Sequence, residues 1–257
     1  MTGRTITEKI LAAHCDDADV QAGAIVTVHP DVVLLNDVSG PLSFEQFDAM
    51  GAQKPFDPAR IVLVADHFAP APNIVAAGAI AMTRAFAQKH GIAHFYEPGR
   101  GGIEHTLLAE LGMVGHGGIV FGADSHTCTA GAFNALGIGF GSTDLAGALA
   151  LGKLWMRVPD SIRVTLSGTP RGHVTGKDIV LELIRRVGSD GASDAALEFG
   201  GPGLANLPMD ARMAIANMAV EAGADTCVFE GDMLSKADMI VRGMEPVAAV
   251  MPDPDAT

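Results

Sequence analysis

The sequence predicts an α/β protein built on mainly parallel sheets covered on both faces. Short apolar runs of strand length recur along the chain, and helical patterns separate most of them. Such alternation is what parallel, doubly covered sheets require. Aromatic residues make up only 5%, against 31 glycines and 12 methionines, which suits closely packed layers with gaps filled by thioether side chains. With 48% of its 257 residues apolar, the chain can bury one large core or two modest ones.

Taken in order, Thr5 to His14 reads as a helix. Ala24 to Val28 and Val32 to Leu35 are apolar runs of strand length, followed by a helical pattern over Ser43 to Met50. Arg60 to Val64 is the next strand, and Asn73 to His90 the longest helix. Glu104 to Leu111 precedes the strand Gly118 to Phe121, and Thr143 to Leu154 follows as a helix. The segment Val158-Pro159-Asp160-Ser161 leads from a long glycine-rich helical region into a new strand, Ile162 to Leu166. It marks a boundary between a lobe at 1–158 and a second at 159–257. Lys177 to Val187 and Met209 to Ala222 carry apolar residues at helical spacing in the second lobe. The acidic, proline-broken Met251 to Thr257 reads as an interrupted loop, so the second lobe is expected to be truncated.

Charge narrows the function. A net charge of -13 with 17 Lys and Arg excludes a broad phosphate-neutralising surface, so nucleic acid is not an expected partner. No apolar run approaches the ~20 residues that span a bilayer, and the N-terminus lacks a signal-peptide pattern, which points to a cytoplasmic protein. Cys15, Cys128 and Cys227 are too far apart in sequence to suggest a disulfide framework or zinc knuckle.

Two clear strands end alike: Ile61 to Ala65 runs into Asp66-His67, and Ile119 to Ala123 into Asp124-Ser125-His126. Ligands of parallel sheets bind at the carboxyl ends of strands. An Asp beside a His there holds the imidazole in one tautomer and makes it a better proton carrier. Either site alone is explained as well by a helix cap and an incidental histidine; two such sites with a third His nearby favour function. That third residue is His105, delivered by the glycine-rich Pro98 to His105 turn; Glu104 and His105 could equally begin a solvated helix. Asn217 and Glu221 lie one helical turn apart in apolar surroundings, where a polar face is either aimed into a site or simply solvated.

Two glycine-rich tracts invite misreading. Gly147 to Lys153 has phosphate-loop spacing, but Leu154 stands where a Ser or Thr must bind magnesium, and the tract reads as helix throughout. In Gly137-Ile138-Gly139-Phe140-Gly141, Ser142 replaces the third glycine of a dinucleotide fingerprint. Both are read as close-packing devices.

Taken together, Asp66-His67-Phe68-Ala69-Pro70, Gly102-Ile103-Glu104-His105, Asp124-Ser125-His126-Thr127-Cys128-Thr129, Gly141-Ser142-Thr143-Asp144 and Asn217 to Ala224 resemble the signatures of the aconitase family, in the family's order. The likeness covers nearly the whole chain. Lys54 to Pro58 and Gly152 to Trp155 are similar to its isopropylmalate dehydratase branch, with homoaconitases next.

The resemblance implies an aconitase-like three-layer α/β/α fold with the C-terminal, cluster-binding part missing. It also implies a hydro-lyase that interconverts 2-isopropylmalate and 3-isopropylmalate by dehydration and rehydration, as in leucine biosynthesis. It makes Asp66 and His67 the pair that assists the departing hydroxyl, and His105 with Asp124 a second acid-base pair. Ser125 and His126 become substrate contacts, and Asn217 and Glu221 groups around the cluster and its water. The family's [4Fe-4S] cluster is held by a Cys and a later Cys-x-x-Cys, a pattern absent here, so no residue of this chain is assigned as a metal ligand. A small swivelling subunit, carrying the serine base, is the implied partner, and a hydroxy-dicarboxylate the substrate. The chain alone is then expected to be inactive. Two other readings stand beside this one: a cluster-free module that binds a dicarboxylate or a subunit, and a divalent-metal enzyme using His67, His105 and His126.

Overall fold

The computed structural model describes residues 3–17 and 19–256. Helix α1 (Ile6–Ala13) begins on a capping box, in which the Thr5 hydroxyl accepts the Glu8 N–H and Glu8 accepts the Thr5 N–H. Strands β1 (Ile25–Val28) and β2 (Val32–Asn36), helix α2 (Gly40–Ala49) and strand β3 (Ile61–Val64) follow. Helix α3 (Ile74–His90) starts where the Asn73 side chain accepts the Ala76 N–H and stops at Gly91, which takes a left-handed φ of 68°. Next come β4 (His94–Tyr96), α4 (Glu104–Glu110) and β5 (Ile119–Gly122). A 3₁₀ stretch over Ser125–Phe133 leads into β6 (Leu136–Gly139), α5 (Ser142–Leu151) and β7 (Leu154–Arg157).

The remainder holds β8 (Asp160–Thr165), α6 (Gly176–Val187), β9 (Ala195–Gly200) and α7 (Met209–Asn217), the last prolonged by a 3₁₀ turn over Met218–Ala222. Strand β10 (Thr226–Phe229) and helix α8 (Met233–Val241) complete it. Among the described residues no helix is long and apolar enough to cross a membrane.

Parallel pairing dominates. One five-stranded sheet has the order β4-β3-β2-β5-β6, all parallel, and a three-stranded sheet β10-β9-β8 is parallel too. Among the strands of the described residues, only β1 and β7 pair antiparallel, as a separate ribbon. In the larger sheet β2, β3 and β5 are buried at every position or nearly so, which explains why their sequences are apolar runs rather than alternations. Strand succession reverses between β2 and β5, and at such a point the carboxyl edge of a parallel sheet opens a crevice.

The two sheets share packing. A single apolar cluster joins Val62, Val120 and Phe133 to Ile215, Phe199 and Phe229, and each fully buried aromatic stabilises by roughly 1.5–3 kcal/mol. A polar tie reinforces it: the buried Glu198 of β9 accepts the Ile6 and Thr7 N–H groups and the Thr7 and Ser161 hydroxyls. A carboxylate at the start of α1 is favoured by the helix dipole.

Several sequence expectations need correction. The helix expected over Thr143 to Leu154 stops at Leu151, because Gly152 adopts a left-handed φ of 69°, and Leu154 begins β7 instead. The Gly147 to Lys153 tract is therefore not helical throughout. The helix expected over Met209 to Ala222 gives way to 3₁₀ geometry after Asn217. Strands β4, β6, β7, β9 and β10 and helix α8 were not foreseen. In β6 the glycines have a specific use: a Cβ at Gly137 would collide with the Thr127 carbonyl, and one at Gly122 of β5 with the Thr127 hydroxyl. The 3₁₀ stretch after β5 lies directly against both strands for that reason.

Candidate active site

Three neighbouring strands deliver acidic residues to the same edge. Strand β2 runs out into Asn36-Asp37, β3 into Asp66-His67, and β5 into Asp124-Ser125-His126. Asp37 is fully buried and accepts the backbone N–H groups of His67 (3.0 Å) and Phe68 (2.9 Å), which sets the turn that presents His67. Asp66 has two tasks. One oxygen lies 2.7 Å from His67 Nδ1, and the other accepts the Glu104 N–H at 2.7 Å, docking the start of α4 beside β3. With Asp66 as acceptor, His67 keeps its proton on Nδ1 and turns Nε2 towards Asp124, 3.5 Å away.

Asp124 is the hub. Its Oδ1 lies 3.2 Å from His105 Nε2 and 3.3 Å from His126 Nδ1, and accepts the His126 N–H at 2.7 Å. It therefore caps the 3₁₀ stretch and gathers the histidines as well. From the second sheet's side, Asn217 donates to Thr129 Oγ at 3.0 Å, and Glu221 Oε1 lies 3.5 Å from His126 Nε2. A cleft of about 240 Å³ is lined by Asp66, His67, His105, Asp124, His126 and Asn217, with Ile103 and Glu104 completing its wall. Ser125 is exposed next to His126. Glu221 is exposed at the rim, in the 3₁₀ turn that follows α7.

Electrostatics separates these groups. Burial works against the His67 imidazolium, yet the hydrogen bond and charge of Asp66, with the charges of Glu104 and Asp124, outweigh it and raise the pKa. The hydrogen bond from His105 holds the Asp124 carboxyl far below the usual range, so it stays ionised. Glu104 goes the other way: burial, then the charges of Asp66 and Asp124, push it up to about 7. Glu104 does not begin a solvated helix, since it is 1% exposed.

Sequence reading missed three of these residues as parts of the site: Asn36, Asp37 and Glu104. Asn36-Asp37 follows an apolar strand just as Asp66 and Asp124 do, so the same rule could have found it. Glu104 gave no such signal, because its partner Asn36 is 68 positions away.

The chain matches the model of the aconitase family (aconitate hydratase) over residues 8–243. It belongs to the aconitase family. It is 47% identical over 253 residues to the 3-isopropylmalate dehydratase large subunit of Nitratidesulfovibrio vulgaris (strain DSM 19637 / Miyazaki F), covering 98% of this chain and 60% of that protein. It is 50% identical over 239 residues to the large subunit of the same name from Oleidesulfovibrio alaskensis, covering 93% and 57% of the two. Against the Moorella thermoacetica large subunit it is 46% identical over 256 residues, covering 99% and 60%. The chain thus spans about 60% of the length of the relatives it matches.

This family is known for [4Fe-4S] clusters, whose cubane needs cysteine thiolates converging on one face. The thiols of this chain do not fit. Cys15 packs on one apolar cluster, and Cys128 and Cys227 lie inside the other. Burial pushes the Cys128 thiol up to about 12 and raises Cys227 as well, which favours thiols over metal-binding thiolates. Nor do His67, His105 and His126 form a metal site among the described residues. They converge on Asp124 rather than on a common point. The closer groupings, Asp37/Asp66/His67 and His67/Glu104/Asp124, have ligand atoms within 4.8 Å. Asp37, Asp66 and Asp124 there already accept hydrogen bonds from histidines or backbone, so we read both as a proton network and not as ligands.

Proposed function

We propose that this chain supplies the proton-transfer side of a hydro-lyase that dehydrates and rehydrates isopropylmalate, a reading supported by its likeness to large subunits named 3-isopropylmalate dehydratase. The single observation that carries the reading is the convergence of two Asp-His pairs around one small cleft, their aspartates at the ends of β3 and β5 on either side of β2. Removing water from a 2-hydroxy-dicarboxylate requires a proton for the departing hydroxyl. His67, oriented by Asp66 and open to solvent on one side, is the group to give it. His105 is held by ionised Asp124 as a second proton carrier. Ser125 and His126 stand at the rim to bind substrate, with Asn217 and Glu221 facing them from the second lobe (159–257), across from the lobe at 1–158. A small subunit that closes over the cleft and brings the base for the carbon-bound proton completes this reading.

The test begins with the chain alone. Anaerobic treatment with iron and sulfide is expected to give neither cluster absorption nor dehydration of isopropylmalate, and a relative's small subunit should not rescue it. Joining the chain to the remaining C-terminal region of one of these large subunits, together with that small subunit, is expected to give turnover. Cluster absorption from the chain alone would overturn the reading of its thiols. A joined assembly that binds its cluster but leaves isopropylmalate untouched would overturn the substrate.

A further inference from the structure

Glu104 is buried in the wall of the cleft, and its Oε2 lacks a hydrogen-bond partner. Its other oxygen accepts from Asn36 Nδ2 at 2.9 Å and lies 3.7 Å from His105 Nε2. Its backbone N–H is fixed by Asp66. The residue is therefore held from three sides, yet one of its two carboxyl oxygens is buried without a hydrogen-bond donor. The groups around it are His105 on its own helix, Asp66 and His67 after β3, Asp124 after β5, and the neutral Asn36 on β2. Three carboxyls face two imidazoles. An ionised carboxylate with a bare, buried oxygen is costly, whereas a neutral acid in the same place is not.

We propose that Glu104 is a positioning residue that carries a proton in the resting cleft and, by releasing or retaining it, sets how firmly His67 holds its own. The proton is lost to and regained from solvent reversibly, with no other bond changed. The upward displacement of the Glu104 pKa to about 7, and the contribution of Glu104 to the raised pKa of His67, agree with the geometry. Coupled groups of this kind titrate as a set, in macroscopic steps shared by the members. For the hydro-lyase, on whose proposed reading the catalytic meaning rests, Glu104 would tune the acid that protonates the leaving hydroxyl.

The decisive measurement is an NMR titration of the His67 ring protons in the chain as it stands, wild type against Glu104→Gln. Gln keeps the shape and the contact to Asn36 but cannot ionise. The expected result is that the His67 imidazole midpoint falls in the variant, by roughly one pH unit, and that a two-step titration of that ring becomes single. An unchanged midpoint in a folded variant would overturn the proposal. If Glu104→Gln does not fold, the carboxyl carbon of Glu104 in the wild-type chain decides: titration near neutral pH supports the proposal, and a signal of the ionised form throughout pH 5–8 overturns it. Neither readout depends on turnover. An assembly that fails to dehydrate isopropylmalate would sink the functional reading and leave these titrations intact.

Discussion

Two charged pairs in this molecule use the same chemistry to opposite ends. Arg212 of α7 is completely buried, and its donors are taken up by the Leu204 and Leu207 carbonyls and by both oxygens of Asp232. Asp232 in turn caps α8 through the Leu234 and Ser235 N–H groups. His67, by contrast, is held by Asp66 on one nitrogen only. Its other nitrogen faces the cleft, and 37% of its side chain is exposed. Saturation and burial make the Arg212 pair a clamp, and incomplete saturation with access to solvent leaves His67 able to exchange a proton. What a charged pair has left unsatisfied is thus more informative than the pair itself.

The comparison breaks most easily at the clamp. Arg212→Met leaves Asp232 partly buried without its cation and two carbonyls without donors, a change that costs about 3–5 kcal/mol. Urea unfolding of the chain is expected to show that loss as a lower midpoint at unchanged slope. A shift below about 1 kcal/mol would mean that α8 is held by its apolar contacts and the clamp is ornamental.

Next in size is the same substitution logic applied to the cleft. His67→Ala is expected to change the unfolding free energy by less than about 1 kcal/mol, since the His67 side of the Asp66 bond is open to water. In the assembly joined to a relative's remaining region and small subunit, it should slow turnover by roughly 10²-fold or more. A variant that unfolds readily but retains its rate would place His67 with Arg212, among the structural pairs.

These contrasts also explain how far the sequence could be read. The parallel α/β architecture was legible because β2, β3 and β5 are buried on both faces and so appear as apolar runs. Asp66-His67 and Asp124-Ser125-His126 were legible because they follow such runs directly. Strand β4 is only three residues long and half buried, and β6 alternates glycine with aliphatic residues because the backbone of 125–133 presses on it. In β9 a glutamate interrupts the apolar pattern, because Glu198 serves the N-terminus of α1 some 190 positions away. Arg212 and the buried pairing of Glu104 were invisible for the same reason. Their roles depend on partners brought in by the fold, and no local period records such pairs.

The smallest expected effect compares two histidines by the sign of their pH dependence. His116 is buried, with Nε2 2.9 Å from the Ser235 hydroxyl and Nδ1 3.2 Å from the Val247 carbonyl. Burial lowers its pKa, with Lys236 adding to the effect and Asp232 and the Val247 contact opposing it. A group whose pKa is lower in the folded state contributes stability that is present above its unfolded value, near 6.5, and lost as pH falls through the folded one. The raised pKa of His67 gives the reverse: its contribution is present below about 6.5 and is lost as pH rises through the folded value. Unfolding midpoints of wild type and His116→Gln, measured in steps from pH 8 to pH 4.5, should therefore converge towards the acid end. Those of wild type and His67→Ala should converge towards the alkaline end. At pH 8, His116→Gln is expected to cost about 1 kcal/mol, the worth of a single hydrogen bond. Two difference curves with the same slope would mean that the distinction between a saturated imidazole and an open one does not govern how this chain binds protons.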